Sequence, residues 1–131
     1  MQGPIPYLVL DGRAAEAMAF WSHAFGATDL GRMPDRQDPA RLMHGQVAIS
    51  GGALMVTDHM GDAGPGPTIR GHLQLVVGGG RASWDRAVAA GCTAEMPFER
   101  QFWGDDWGLL RDPFGIAWGI LQPGPAAEDA A

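Results

Sequence analysis

His72–Gly91 reads HLQLVVGGGRASWDRAVAAG: a short β-rich run, a glycine turn, then a helical pattern closed by glycine. Within it His72–Val77 predicts a strand, and Gly78-Gly79-Gly80 predicts a turn. Arg81–Ala90 places Trp84, Ala87 and Val88 on one helical face, ended by Gly91. The same order occurs upstream in Ile5–Gly26, IPYLVLDGRAAEAMAFWSHAFG. Ile5–Leu10 predicts a strand, and Asp11 is placed to cap a helix over Arg13–Phe25. Ala17, Phe20, Trp21, Ala24 and Phe25 recur at i, i+3, i+4, i+7 and i+8, and Gly26 ends the pattern.

Each helix is followed by strand signals. Downstream of Gly26, Met33–Ala40 is polar and carries two prolines, which predicts a surface loop. Leu42–Ile49, the turn Ser50-Gly51-Gly52 and Ala53–Thr57 then read as a hairpin. Downstream of Gly91, Met96–Arg100 leads into Gln101–Leu110. The turn Asp112-Pro113-Phe114-Gly115 and the strand Ile116–Leu121 complete a second hairpin. His59–Thr68, rich in glycine and proline, reads as the linker between two modules, and Gly124–Ala131 as a frayed tail. The chain is therefore a duplication: strand, helix, strands, twice. Matching the helix-ending glycines pairs Tyr7 with His72. Matching the hairpin turns pairs His44 with Trp107 and Met55 with Trp118.

Composition narrows the chemistry. At 131 residues the chain accommodates one domain or two small modules. A net charge of −6 argues against nucleic acid or an anionic membrane as partner. All nine basic residues are Arg, so a lysine Schiff base and a P-loop lysine are excluded. The single Cys92 excludes a disulfide framework and a Cys-rich zinc site, and reads as a buried small hydrophobe. No apolar run approaches a membrane span and the first residues lack a charged leader, so a cytoplasmic protein is expected. No G-x-S-x-G elbow supports acyl chemistry on serine. The acid pair Asp105-Asp106 lies between Trp103 and Trp107, and reads as a solvated loop ahead of a proton-transfer pair.

Several segments, taken in order, resemble the PhnB-like branch of the vicinal-oxygen-chelate superfamily, the glyoxalase/bleomycin-resistance/dioxygenase group. They are Pro6-Tyr7-Leu8, the helix with Glu16-Ala17, Phe20-Trp21 and Phe25-Gly26, Met43-His44, and Leu54-Met55-Val56-Thr57-Asp58. Phe102-Trp103-Gly104 and Asp112-Pro113-Phe114-Gly115 with Trp118 follow. The resemblance implies an α+β fold of two βαβββ modules whose mixed sheet curls into a cleft. It also implies a homodimer. Members of this branch are often labelled methyltransferases. Here Ser83 occupies the third glycine position of a dinucleotide-type loop and only one βα unit surrounds it, so methyl transfer is not expected.

Metal-dependent members of the group place His or Glu at inward strand positions, two per module. His72 matches one such position and Tyr7 is its counterpart. The hairpin-end positions fall around Met55-Val56 and Trp118-Gly119, which lack carboxylates. The expected site is thus a small-molecule pocket lined by Tyr7, His44, Met55, His72, Trp103 and Trp107, with no confident cofactor. The alternative is a divalent-metal lyase, isomerase or dioxygenase using His72, His44 and Asp58. A third reading is a structural or interaction module.

Overall fold

The computed structural model describes residues 3–59 and 71–125. Contacts divide the chain into two compact units, Met1–Ile69 and Arg70–Ala131. The first unit contains β1 (Tyr7–Val9), α1 (Ala14–Phe25), β2 (Thr28–Pro34), β3 (Leu42–Ile49) and β4 (Gly52–Thr57). The second contains β5 (Leu73–Val76), α2 (Gly80–Ala90), β6 (Thr93–Arg100), β7 (Asp106–Arg111) and β8 (Ala117–Gln122). Each unit folds its four strands into one mixed sheet, ordered β1-β4-β3-β2 and β5-β8-β7-β6. In both sheets the first strand runs parallel to the last and the other pairs are antiparallel. The expected pair of βαβββ modules is what forms.

Period-two alternation decides which residues each helix covers. In the first unit Val47, Ile49, Leu54 and Val56 are buried together with Ala17, Met18, Trp21 and Ala24 of α1. In the second, Leu75, Leu110, Trp118 and Ile120 are buried with Trp84 and Ala87 of α2. Burying one such large side chain contributes roughly 1.5–3 kcal/mol. The helices lie close because glycine stands where they cross. A Cβ on Gly45 would lie 2.6 Å from Met18 Sδ, and one on Gly108 would lie 2.6 Å from Trp84 Cζ3.

Main-chain hydrogen bonds fix how the two units correspond. Leu10 N–H donates to Thr57 O and Val77 N–H donates to Leu121 O, each at 2.9 Å. Val9 pairs with Thr57 as Val76 pairs with Leu121. Counting back, Tyr7 corresponds to Gln74 and Met55 to Gly119, which corrects the expected pairs Tyr7–His72 and Met55–Trp118. The helix-end glycines are not level with the strand register, so alignment on them slides the first strand by two residues. His44 does correspond to Trp107, because Gly45 faces Val56 as Gly108 faces Ile120.

Other local expectations also shift. Part of the predicted loop Met33–Ala40 belongs to β2, an edge strand exposed along its whole length. Without a buried face, and with Gly31 and Pro34 inside it, the strand shows no alternation to read. The continuous run expected through Gln101–Leu110 breaks at a turn between β6 and β7. Asp11 does not cap α1, whose start has no side-chain cap of its own. Gly26 closes that helix in the left-handed conformation, as expected, at φ 72. The turn Asp112–Gly115 forms: Asp112 Oδ1 accepts from the N–H groups of Phe114 and Ile116, and Oδ2 accepts from Trp118 Nε1. Residues 60–68 of the expected linker and 126–131 of the expected tail lie outside the described residues. At the start of that tail Gly124 is buried, and its N–H donates to Asp105 Oδ1 at 2.9 Å.

Candidate functional site

On the sheet face turned away from α1, Tyr7, His44 and Met55 come together. Tyr7 and Met55 are direct partners in the β1–β4 ladder, and Met55 faces Gln46 across β3–β4. Tyr7 Oη lies 2.7 Å from His44 Nδ1, with the two rings edge to face at 5.6 Å. Tyr7 remains 51% exposed. An exposed phenol and an imidazole are therefore held in one orientation by a single contact.

The second unit carries a larger cluster on the face away from α2. Trp107 Nε1 donates to Gln74 Oε1 at 2.8 Å, and His72 Nε2 lies 2.9 Å from the same oxygen. Indole nitrogen can only donate, so Gln74 presents its oxygen there, and His72 Nε2 must donate to it as well. Neutral His72 consequently keeps its lone pair on Nδ1. The His72 and Trp107 rings are 5.8 Å apart. Trp103 lies 6.4 Å from Trp107, and Phe102 lies edge-on to Trp103 at 5.1 Å. Phe102 is 97% exposed and Trp103 49%. Four rings thus form a chain from the middle of a sheet to the tip of a loop.

Asp58 belongs elsewhere. It is 1% exposed, and three main-chain N–H groups occupy its carboxylate. Oδ1 accepts from Gly12 and Ala14 at 2.6 and 3.0 Å, and Oδ2 accepts from Leu42 at 2.8 Å. This carboxylate caps α1 from just beyond β4, the task expected of Asp11, and is not presented beside His44 as a third metal ligand. Gln122 acts similarly in the second unit, accepting from Gly80 N–H at 2.8 Å. Asp105 and Asp106 are separately engaged: Asp106 pairs with Arg100 at 2.6 Å, and Asp105 holds Gly124. His23 is exposed on α1, and exposed His59 pairs with Asp35 at 2.7 Å. Asp35 is held below the usual carboxylate range, first by the Gln37 N–H and then by His59. Cys92 is buried, and burial pushes its thiol up to about 12.

The donor set does not fit a divalent cation. Met55 and Gly119 occupy the corresponding positions on β4 and β8, and neither side chain offers an oxygen or nitrogen donor. A Cβ on Gly119 would lie 2.8 Å from His72 Nε2 and 2.7 Å from Gln74 Oε1. The space beside the imidazole is therefore already taken by Gln74, and Nε2 is spent on it. Among the described residues no group of three or more His, Cys, Asp or Glu side chains is placed to hold a metal.

Sequence reasoning missed Gln74, while it places a hairpin-end position without a carboxylate at Trp118-Gly119. Alternation carries the signal for Gln74, two residues after His72 on the same strand.

Residues 5–120 match the family described as the Glyoxalase/Bleomycin resistance protein/Dioxygenase superfamily. The chain belongs to that superfamily. Its relatives include the protein Mb0911c of Mycobacterium bovis, 36% identical over 126 residues that span 90% of this chain and 81% of the relative. Protein PA1353 of Pseudomonas aeruginosa has a similar structure, with a TM-score of 0.74, 26% identity and coverage of 94% of this chain and 98% of that one. A PhnB protein from Bacillus cereus shares the fold at a TM-score of 0.73 and 18% identity, over 92% of this chain and 99% of the other.

Proposed function

We propose that this superfamily member binds a small, partly hydrophobic molecule on the helix-distal faces of its sheets, without a catalytic metal. One observation carries the reading: the chain His72–Gln74–Trp107–Trp103 combines oriented polar atoms with exposed aromatic area. Cross-strand pairing accounts for single contacts on a solvated strand face, and a ligand with a flat apolar body would use the aligned groups together. Tyr7, His44 and Met55 supply a second, smaller surface of the same kind in the first unit. The lack of a donor at Met55 and Gly119 supports metal-independent binding over the lyase, isomerase or dioxygenase reading.

A homodimer belongs to the same proposal. Its support is the exposed apolar surface of Val9, Leu30 and Met33 in the first unit and of Val76 and Phe102 in the second. A cytoplasmic location is also proposed, on the lone reduced-type cysteine and the charge balance. Among the described residues no helix is long and apolar enough to cross a membrane.

Elemental analysis of the purified protein, followed by thermal shift with divalent ions and metabolite pools, tests this reading. Stabilisation by a metabolite with no stoichiometric metal is expected. A stoichiometric metal lost on His72→Ala would overturn it, and stabilisation by nothing would favour a structural module.

A further inference from the structure

We infer that the face built around Trp107 selects a planar organic cation, an inference that rests on the binding role proposed above and names its ligand class. Glu99 is the direct partner of Trp107 in the β6–β7 ladder, so the two side chains leave the sheet on the same side. Phe98, the preceding residue, is buried and packs against Trp84 of α2, which confirms that Glu99 points the other way. Glu99 is exposed, and among the described residues its carboxylate has no hydrogen-bond or ion-pair partner. The nearby cations are paired locally, Arg100 with Asp106 and Arg111 with Glu95, whereas the Asp105 carboxylate accepts only the Gly124 N–H among the described contacts.

The acceptors left on this face favour positive charge. His72 is held with Nε2 as donor, leaving Nδ1 as an acceptor. Glu99 offers a full negative charge. Trp107 is fixed through its N–H, the ring atom that would otherwise face a ligand as a donor, which leaves its negative π-face for contact. Among the described residues the donors left on this face, the Gln74 amide nitrogen and Trp103 Nε1, are uncharged. An anion would meet Glu99 and the indole faces with repulsion, whereas a flat cation meets attraction from both.

The test uses three ring-matched probes: N-methylquinolinium, neutral quinoline at pH 8, and quinoline-2-carboxylate. Affinities are read from indole ¹H–¹⁵N shifts of the full chain. The cation is expected to bind about tenfold more tightly than the anion, and Glu99→Gln to weaken the cation about three- to tenfold while leaving neutral quinoline unchanged. This isosteric change at an exposed site leaves the fold intact, and Trp107→Leu is expected to weaken the cation further. Equal binding of cation and neutral ring, with no effect of Glu99→Gln, would overturn the cation preference while the binding role stands. Failure of the cation to bind also overturns it. The binding role is then decided by the metabolite screen, whose result does not depend on these probes.

Discussion

Tyr7 Oη contacts His44 Nδ1 at 2.7 Å across the diagonal of one sheet. The corresponding positions of the other sheet, Gln74 and Trp107, also share a hydrogen bond, at 2.8 Å. The residue types differ completely, yet the diagonal is polar and linked in both units. Duplication has thus kept a geometric relationship while changing its chemistry. Similar pairs are Asp58 with Gln122 at the helix starts, and Gly45 with Gly108 at the helix crossings.

Gln74 orients both His72 and Trp107, so Gln74→Ala should release the indole. The Trp107 N–H resonance is expected to move upfield and exchange faster with water. Because the bond is solvent-accessible, stability should fall by no more than about 1 kcal/mol. An unchanged resonance would show that Gln74 does not hold the ring.

Asp58 accepts three main-chain N–H groups, those of Gly12, Ala14 and Leu42. Asp58→Ala should cost at least about 2 kcal/mol, because buried donors lose their acceptor. Gln122→Ala removes one such bond and should cost about 1 kcal/mol. Urea denaturation measures both, and the order of the two losses is the sharper check.

Gly108→Ala should destabilise by about 1–3 kcal/mol or more through overpacking. The added Cβ meets Trp84 at 2.6 Å and the Phe98 backbone at 2.8 Å, and the backbone cannot swing aside. Gly45→Ala meets Met18 Sδ and Val56 Cγ2, which are ends of side chains, and should cost less. Thermal denaturation of the two variants would show the difference.

Burial raises the Cys92 thiol from its ordinary value near 9 to about 12. The native state therefore holds its proton where the unfolded chain has lost it. Stability from this group is complete below pH about 9 and declines as pH rises towards about 12. Cys92→Ala should flatten that decline. Iodoacetamide should label native protein very slowly at pH 8 and unfolded protein readily.

The duplication was legible because Trp21 and Ala24, and likewise Trp84 and Ala87, repeat at helical spacing before a closing glycine. His72, Tyr7 and Met55 could be named through the resemblance to the superfamily's ligand positions, and His44, Trp103 and Trp107 from strand alternation and aromatic clustering. What escaped was register. Whether Tyr7 corresponds to His72 or to Gln74 depends on which carbonyl receives one N–H, and no local residue preference encodes that. β2 escaped because neither of its faces is buried. Asp58 was misread because a buried cap that reaches two segments across the fold looks, in sequence, like any strand-end acid.

The most direct test follows the five indole N–H resonances of ¹⁵N-labelled protein during titration with a metabolite library. A ligand on the proposed face must move Trp107 and Trp103, assigned through Trp107→Phe and Trp103→Phe. Buried Trp21, Trp84 and Trp118 should stay in place. Saturable shifts confined to Trp103 and Trp107 are the predicted result. A library that moves neither, or a ligand that shifts only Trp21, Trp84 or Trp118, would contradict the account.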